Sequence, residues 1–382
     1  MKVKWKQVLR RSLVLLLAAA CLLGAGPAMN ARAADPAAGD VPLEACPMIV
    51  QLSGENAAWA GNLDGTDGAA YGADVVIDLY QVAKGVQTDW FDIYDFELNP
   101  AYAALDLEKE AEALAADATA IARGTDVDPT YTGLKLGEDF TVDGGLYLMV
   151  LHGNSPTNNP EDPWTKAEYF QDIEVDGATS TVTVAYSSNF EYRFKPQLIS
   201  IPTREPTVDP ELEENVPWIG VEGNPLVVNL KAERERRLGN LEIVKTLDNK
   251  ESKEDAIFVF DIKAELTEIV DGESKTETVY ANVVSINFTD PGTRSVLIED
   301  LPVDAVVTVE EIYHGATYVN VTTVTPEPVT IEAEEIVPAA VVNFENDYTE
   351  YHTGGHGITN NFSFDGVGGW TWNQVSDNVT AQ

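Results

Sequence analysis

The chain has 382 residues, with 24 basic against 63 acidic side chains and a formal net charge of −39 at pH 7. This excess of negative charge excludes nucleic acid and anionic lipid surfaces as partners, because the protein's own field repels phosphate groups. The length is enough for two or three domains of ordinary size, each with its own apolar core.

Residues 1–33 predict a secretory signal peptide. A basic segment ending at Arg11 precedes the apolar run Leu13 to Leu23, and Ala31-Arg32-Ala33 supplies a small-x-small cleavage site. Cys21 follows three alanines, as in a lipoprotein signal, but the apolar run continues past it, so cleavage after Ala33 is favoured. The segment holds six of the 24 basic residues and no acid, which leaves 18 basic against 63 acidic groups and a charge of −45. We expect an exported protein of the extracellular space or cell surface, with no membrane span after cleavage.

The mature chain offers few residues for metal or disulfide chemistry. Residues 34–45 predict a flexible N-terminus, and Cys46 is the one cysteine left after cleavage, so an intramolecular disulfide is excluded. The turn-rich segment 62–68 carries acids without EF-hand spacing, so a solvated turn is favoured over a calcium loop. His352 and His356 have helical metal spacing, but the glycines between them oppose a helix. We therefore expect no metal and no cofactor.

Residues 46–231 predict a β-rich first domain with one helix. The helix spans Asp106 to Arg123, where apolar residues recur at spacing seven, acids crowd the first turn and Gly124 stops it. The polar segment 153–163 is either a binding loop or a connector. The predicted strands are Met48–Leu52, Ala73–Val82, the buried strand within Phe140–Val150, Asp172–Val175, Thr181–Tyr186, Gln197–Ile201 and Leu226–Leu230.

Residues 232–238 predict a charged linker, and residues 239–349 predict an all-β domain. Short strands at regular spacing are typical of a sandwich of roughly a hundred residues. Asp271-Gly272 is a favourable hairpin turn. The predicted strands are Leu241–Leu247, Ala256–Leu266, Thr278–Phe288, Ser295–Ile298, Val306–Ile312, Tyr318–Val324, Val329–Ala333 and Ala340–Phe344.

Residues 350–382 predict an aromatic tail rich in Gly and Asn. Phe362, Phe364, Trp370 and Trp372 alternate with polar residues as side chains do in strands. These aromatic residues either add a strand to a neighbouring subunit or cover a sheet edge of their own chain.

Three polar side chains of the second domain fall in phase with the apolar face of their strands. Buried polar groups are costly unless they are paired or neutral, so this departure from the pattern indicates chemistry. They are Lys245 (in phase with Leu241 and Ile243), Glu311 (with Val307 and Val309, while Glu310 points the other way) and Asn346 (with Val342 and Phe344).

Burial favours the neutral amine of lysine and the protonated form of glutamate. A neutral amine is a nucleophile, and a buried carboxylic acid can polarise an amide and relay protons. Lys245 could therefore attack the side chain of Asn346, expel ammonia and leave an amide cross-link. From phase alone, an ordinary ion pair of Lys245 with Glu311 is the simpler interpretation.

Four segments of the second domain form a common pattern with these three residues: Gly239–Thr246 (GNLEIVKT), Ser295–Pro302 (SVLIEDLP), Val307–Glu311 (VTVEE) and Val342–Tyr348 (VNFENDY). Together they resemble the CnaB-type (collagen-adhesin B-type) domain of Gram-positive sortase-assembled pilins and surface adhesins. In that family a first-strand lysine bonds a last-strand asparagine with the help of a middle-strand glutamate. The resemblance implies an isopeptide bond between Lys245 and Asn346 with Glu311 as proton relay, and Glu310 is the competing acid. It also implies a mainly β chain of two tandem sandwiches (Ig-like or CnaB-type), the first with one inserted helix.

A second resemblance covers the end of the first domain. Ile199 to Thr203, then Trp218, then the strand Leu226 to Leu230 with Lys231 look like the pilin motif of sortase-assembled pilins. The resemblance implies that Lys231 is the acyl acceptor in sortase-catalysed polymerisation. The spacing after the tryptophan is longer than in the motif, and Ala232 stands where asparagine is common, so a plain surface lysine is the alternative.

The two resemblances imply an exported structural subunit of a pilus or surface fibre that contributes to adhesion. The expected partners are other pilin subunits, sortase, and host or matrix glycan or protein. No enzymatic activity is expected beyond one intramolecular bond-forming turnover. The last residues lack an LPxTG-like sorting motif, so either the chain is not joined through its own C-terminus or the tail 353–382 serves a different attachment. The alternative is a secreted or surface adhesin that recognises glycan or matrix protein without polymerising.

Overall fold

The computed structural model describes residues 41–52, 59, 69–88, 94–161, 164–175, 177–204, 217–230, 232–250, 255–270, 273–315, 318–321, 326–348, 357–364 and 370–377. They form two compact units, with the division between Glu235 and Arg236. This division falls inside the segment 232–238 that the sequence indicates as a linker. Part of that segment, Glu233–Arg236, is a strand. None of the helices in these ranges is long and apolar enough to cross a membrane.

The first unit contains twelve strands and two α-helices within the described ranges. A short 3-10 helix, Pro100–Tyr102, precedes the first α-helix. In chain order the elements are β1 Cys46–Leu52, β2 Val76–Gln87, β3 Tyr94–Leu98, α1 Ala111–Ala122, β4 Tyr131–Lys135, β5 Asp139–Val142, β6 Gly145–His152, α2 Lys166–Tyr169, β7 Phe170–Val175, β8 Ala178–Tyr186, β9 Phe190–Phe194, β10 Gln197–Ile201, β11 Leu226–Leu230 and β12 Glu233–Arg236.

The strands of the first unit form three sheets, with orders β11-β1-β5, β10-β6-β2-β3 (β4 also pairs with β2) and β12-β9-β8-β7. Strand β6 is buried on both faces, as its continuous apolar run GLYLMVLH indicates. Tyr147 and Met149 on one face join the core between the sheets, whereas Leu148 and Val150 on the other join the core under α1. The alanine-rich face of α1 lets the helix lie close to the sheet.

The helix α1 differs from its prediction at one end. It begins at Ala111, five residues after the predicted start, and ends at Ala122, with Gly124 just beyond. The four-residue α2 was not predicted, although its Thr165 and Glu168 form a capping box, a signature that sequence can show. Strands β3, β4, β5 and β9 were also missed.

The second unit contains a sandwich of two four-stranded sheets, with orders β16-β13-β20-β18 and β15-β14-β17-β19, around one apolar core. The prediction of a mainly β chain with tandem sandwiches is confirmed. The last two strands form a separate two-stranded sheet. In chain order the strands are β13 Leu238–Leu247, β14 Ala256–Val270, β15 Glu273–Phe288, β16 Gly292–Pro302, β17 Val306–Tyr313, β18 Tyr318–Asn320, β19 Val329–Thr330, β20 Ala340–Tyr348, β21 Gly357–Phe364 and β22 Trp370–Asp377.

The first and last strands of the sandwich are parallel neighbours. Strand β13 pairs with β20 in parallel, with Lys245 opposite Phe344 and Leu247 opposite Asn346. Strand β13 begins in close contact with the segment after β19, since a Cβ on Gly239 would lie 1.8 Å from the carbonyl oxygen of Glu332. Only glycine fits this position, and it lets β13 enter the sheet at the depth that buries its alternate residues.

Candidate functional site

The three polar residues singled out in the second unit meet in its core. Lys245 and Asn346 are fully buried, and the side chain of Glu311 is 2% exposed. The first two lie on adjacent strands of one sheet, β13 and β20, whereas Glu311 lies on β17 of the facing sheet. The site therefore spans the two layers of the sandwich.

Strand alternation explains why each of these side chains points inward. Along β13 the burial alternates residue by residue, so Lys245 shares the core face with the apolar side chains two and four residues before it. Strand β17 alternates in the same way, and Glu310 is exposed on its outer face while the side chain of Glu311 is buried. The structure thus separates Glu310, the competing acid, from the buried lysine.

Strand β20 is longer than predicted, and this difference concerns the site directly. The sequence predicts a strand that ends at Phe344, but the pairing continues to Tyr348. Asn346 is therefore held inside the strand, in register with Leu247, and does not hang from its end. A residue within a paired strand is fixed in orientation, so its amide is presented to Lys245 by the backbone itself.

The contacts among the three side chains are short. The Nζ of Lys245 donates to the Oδ1 of Asn346 at 2.5 Å and lies 3.0 Å from the Oε1 of Glu311. The Nδ2 of Asn346 donates to the same Oε1 at 3.2 Å. One carboxyl oxygen therefore faces both the amine nitrogen of Lys245 and the amide nitrogen of Asn346. The second oxygen, Oε2, is buried and has no hydrogen-bond partner among the described residues.

The surroundings of Lys245 favour its neutral form. Burial lowers the pKa of its amine, and the hydrogen bond and charge of Glu311, with a smaller effect of Glu345, offset this only in part. The rings of Phe258 and Phe344 lie 4.7 and 5.9 Å from Nζ and close off the site from water. An amine whose pKa is lowered beside a buried amide is chemically equipped for nucleophilic attack.

The other predicted site residue, Lys231, lies outside the described residues, so its role as a sortase acceptor stays a prediction. The strand before it, β11, pairs in parallel with β1. Trp218, the tryptophan of the pilin-motif resemblance, lies under the guanidinium of Arg204 at 4.2 Å. The candidate calcium loop at 62–68, the histidines at 352 and 356 and the tail's connecting segments likewise fall outside the described ranges, and no group of metal-ligating side chains occurs within them.

Sequence reasoning missed a buried polar cluster in the first unit. Asp78 of β2 is 4% exposed, and its Oδ1 accepts from the hydroxyl of Thr132 at 2.7 Å and from the backbone N–H of Gly133 at 3.0 Å. Its Oδ2 lies 3.0 Å from the Nε2 of His152, whose ring stacks on Tyr169. Burial raises the pKa of Asp78, but these hydrogen bonds and the charge of His152 outweigh it, so the pKa lies below its ordinary value. An acid inside the apolar strand ADVVIDLYQV was the signal that could have found it.

No family model matches the chain, and no curated protein matches it. Among solved structures, it is similar to the major pilin protein from Streptococcus pyogenes, with 10% identity, 81% of this chain and 99% of that chain covered, and a TM-score of 0.21. It is also similar to a Mobiluncus mulieris adhesin containing intramolecular disulfide, isopeptide and ester bond cross-links, with 13% identity, 72% and 84% covered, and a TM-score of 0.22. A pilus-presented adhesin, Cpa, matches at 14% identity over 43% of this chain and 36% of its own, with a TM-score of 0.19.

These structures are pilins and adhesins, the class that the sequence resemblance names. Their TM-scores near 0.2 carry no argument about function. What the chain can do chemically follows from the geometry of Lys245, Glu311 and Asn346.

Proposed function

We propose that the second unit is closed by an isopeptide bond that it forms itself, between Lys245 and Asn346, with Glu311 as the proton relay. The observation that carries this proposal is the single oxygen of Glu311 within 3.2 Å of both nitrogens, while the amine lies 2.5 Å from the amide oxygen. Burial of all three groups excludes water from the reacting atoms and strengthens their electrostatic interactions.

The reaction balances with the groups present. The neutral Nζ of Lys245 attacks Cγ of Asn346, and the amide oxygen takes up negative charge in the tetrahedral intermediate. The carboxyl group of Glu311 accepts a proton from the attacking nitrogen and gives one to Nδ2, which leaves as ammonia. The C–Nζ bond forms first, the C–Nδ2 bond breaks when the intermediate collapses to the new amide, and Glu311 returns to its starting state. The reaction occurs once per chain and turns over no external substrate.

The same proposal gives the protein its biological class, an exported, pilin-like structural subunit of a cell-surface fibre that contributes to adhesion. Support comes from the signal-like residues 1–33, the tandem sandwiches and the buried Lys–Glu–Asn group in the second. Its partners would be other pilin subunits, joined by sortase through Lys231, and host or matrix glycan or protein. A covalent link between the first and last strands suits a protein that bears load, because tension passes through the link and not through the sheet's hydrogen bonds.

Intact-mass measurement of the purified mature protein tests the bond. We expect the protein to be lighter than its sequence formula by one ammonia, and the Glu311→Gln variant to have the full formula mass. Glu310→Gln is the matched control, since its side chain is exposed on the outer face of the same strand, and it should stay lighter by one ammonia. A wild-type protein with its full formula mass would refute the proposal.

Polymerisation has its own test in the cells that produce the protein. Sortase-joined subunits withstand boiling in detergent and migrate as a ladder on a gel. Lys231→Arg should abolish this ladder, whereas Lys84→Arg, at an exposed position of β2, should leave it unchanged. A ladder that persists in Lys231→Arg would exclude Lys231 as the acceptor without bearing on the cross-link.

A further inference from the structure

Strand β15 forms one outer edge of the sandwich in the second unit. Within the described residues it pairs with β14 alone, so the N–H and C=O groups along its other side have no neighbouring strand. With 16 residues it is also the longest strand of the sandwich. An unpaired strand edge is a template on which another strand can form backbone hydrogen bonds.

The sequence of β15 lacks the features that normally protect such an edge. Folded proteins keep exposed edge strands short, or place charged residues and prolines in them. Residues 278–288 (TVYANVVSINF) contain no charge, no proline and no glycine, although 23% of the chain is charged. The one irregularity in the pairing with β14 falls at Val279, so residues 280–288 form a regular, uncharged edge.

The other edges of the same sandwich are protected. Strand β16 is 11 residues long and carries Arg294, Glu299 and Asp300. Strands β18 and β19 have only three and two residues. Because three of the four edge strands are short or charged, β15 is the edge suited to pairing with another strand.

The inner side chains of β15 also lack a complete cover. Phe288 and Ile286 are 0% and 5% exposed, whereas Val284 and Tyr280, on the same inner face, are only half-buried. Asn282, which lies between these last two, is exposed. A strand added along this edge would extend the inner face of the sheet and cover these side chains.

The side-chain hydrogen bonds along this edge are local and uncharged. The N–H of Val283 donates to the Oδ1 of Asn282 at 2.9 Å, and the Nδ2 of Asn282 donates to the hydroxyl of Tyr280 at 3.1 Å. Such local bonds compete with strand pairing. They can be exchanged for bonds to a new strand without burying an ion.

A second copy of β15 is the partner that fits this edge. An antiparallel pair centred on Val284 sets Tyr280 of one copy opposite Phe288 of the other. Asn282 then lies opposite Ile286, so inner side chains meet inner side chains around a two-fold axis. No ion is desolvated in this register. This matters because the acidic surfaces of two copies repel each other, and a neutral edge is the suitable place for self-association.

We propose that β15 is a homotypic contact strand, which pairs antiparallel with β15 of a second copy and joins two four-stranded sheets into one sheet of eight strands. The contact is non-covalent, and it depends on neither the Lys245–Asn346 bond nor Lys231. It connects two subunits through backbone hydrogen bonds.

Sedimentation velocity and hydrogen exchange on the mature chain, residues 34–382, test the proposal together. We expect a concentration-dependent shift from monomer to dimer. Over the same concentration range the amides of residues 278–288 should become protected from exchange, whereas those of β16 should not change. Protection confined to this edge identifies strand pairing, because a contact between side chains on a sheet face leaves the edge amides open to water.

Variants at Asn282 separate the effect of charge from that of shape. Asn282→Lys places an ammonium at a position that is exposed in one copy and covered in the pair, so the dissociation constant should rise by at least about tenfold. Asn282→Thr, an uncharged residue that favours strands, should dimerise within about threefold of the wild type. The matched control Thr308→Lys adds the same charge at an exposed position of β17, a central strand of the same sheet, and should leave the dissociation constant unchanged.

Several results would overturn the proposal. One is a wild type that stays monomeric at every concentration. Protection of residues 278–288 that does not depend on concentration would show that another segment of the same chain occupies the edge, and a dimer whose edge amides stay unprotected would place the contact elsewhere. Equal dissociation constants for Asn282→Lys and the wild type, or equal weakening by Thr308→Lys, would exclude the edge as the determinant.

Two features keep the test decisive. Should Asn282→Lys fail to fold, hydrogen exchange on the wild type decides alone. Intact mass reports separately on the isopeptide bond, so failure of either proposal leaves the other testable.

Discussion

Both units bury a carboxyl group between strands, and they differ in what that group contacts. In the first unit both oxygens of Asp78 have partners, from Thr132, Gly133 and His152. In the second, one oxygen of Glu311 faces an amine and an amide nitrogen, while the other has no hydrogen-bond partner among the described residues. A carboxylate with a complete set of hydrogen bonds is stable as it stands, whereas one shared between two nitrogens can move a proton between them.

The lysines of the two units teach the same lesson. Burial lowers the pKa of both Lys166 and Lys245. Lys166, however, donates to the carbonyl oxygens of Ala122, Gly124 and Val127 at and just beyond the end of helix α1, and backbone carbonyls offer no leaving group that is free to depart. Lys245 faces a side-chain amide instead. A lowered pKa alone therefore does not mark a reactive lysine, and the neighbouring amide decides.

The largest effect is expected from Lys245→Met, which keeps the side chain apolar and long but removes the nucleophile. A cross-link over 101 residues restricts the unfolded chain, and by analogy with disulfides its loss costs roughly 4–5 kcal/mol of unfolding free energy. Chemical denaturation followed by circular dichroism measures this, with Lys263→Met as control because that side chain is half exposed on the outer face. Equal losses in the two variants would contradict a cross-link.

A smaller loss is expected from Asp78→Asn, which breaks the cluster that the first unit completes without covalent chemistry. Removing one partner from a buried hydrogen-bonded group costs about 2–4 kcal/mol. The unfolding transition of the first unit should shift while that of the second stays in place. Asp95→Asn, at an exposed position of β3, is the matched control and should shift neither transition. A shift of both transitions would mean that the two units do not unfold independently.

Lys166→Met should cost less again, about 1–2 kcal/mol, because it leaves carbonyl oxygens at the end of α1 without their donor. Hydrogen exchange across the last turn of α1 measures the effect locally, and we expect faster exchange there. Lysine labelling of the unfolded protein sharpens the comparison, since Lys166 should react with an amine reagent and Lys245, as an amide, should not. A labelled Lys245 in the unfolded wild type would contradict the bond.

The pH dependence of the unfolding free energy should distinguish the two units by the smallest of these effects. Because the folded-state pKa of Asp78 lies below its unfolded value, the stability it contributes is present above the unfolded pKa of about 4 and is lost as pH falls through the folded pKa. Acid should therefore weaken the first unit of the wild type over this range, and Asp78→Asn should remove that dependence. If Asp78→Asn loses as much stability in acid as the wild type does, the acid sensitivity belongs to other groups.

For the second unit the sign is the same, but the pH range is alkaline and the measurement needs the uncross-linked chain. In Glu311→Gln the buried Lys245 remains an amine with a lowered pKa, so the unfolded state binds more protons, and stability should rise as pH increases towards about 10.4. Under the proposed cross-link that amine is an amide in the wild type, and the rise should be absent. Urea titrations at a series of pH values compare the two slopes, and equal slopes would indicate that the wild type also retains the amine.

Much of this comparison could be predicted from the sequence, because strand alternation is a strong local signal. Alternation by itself assigns Lys245, Glu311 and Asn346 to the inner faces of their strands, and β10 and β11 have the predicted bounds. Burial in those positions is what the fold shows. Alternation cannot show which strands far apart in the chain pair with each other. The distances among the three side chains are therefore known only from the folded structure.

The missed elements have identifiable reasons. Strand β4 contains Gly133 in the left-handed region, at φ 69°, which reads locally as a turn. Strand β9, in contrast, has three aromatic residues alternating with charged ones, a pattern typical of a half-buried strand, so the sequence did carry a signal for it. The cluster around Asp78 depends on β4 and β6 converging on β2, a tertiary arrangement that overrides the propensity of any one segment.

The two-residue offset in the pairing of β13 with β20 has a further consequence. Lys245 reaches Asn346 only in the register that sets Leu247 opposite Asn346, and a slip of one residue would turn the asparagine to the other side of the sheet. Under the proposed reaction, a chain whose first and last sandwich strands mispair keeps its ammonia. The mass of each molecule would then show whether its sandwich had once folded in the correct register. This difference would persist after denaturation, so mass could distinguish correctly folded from misfolded protein.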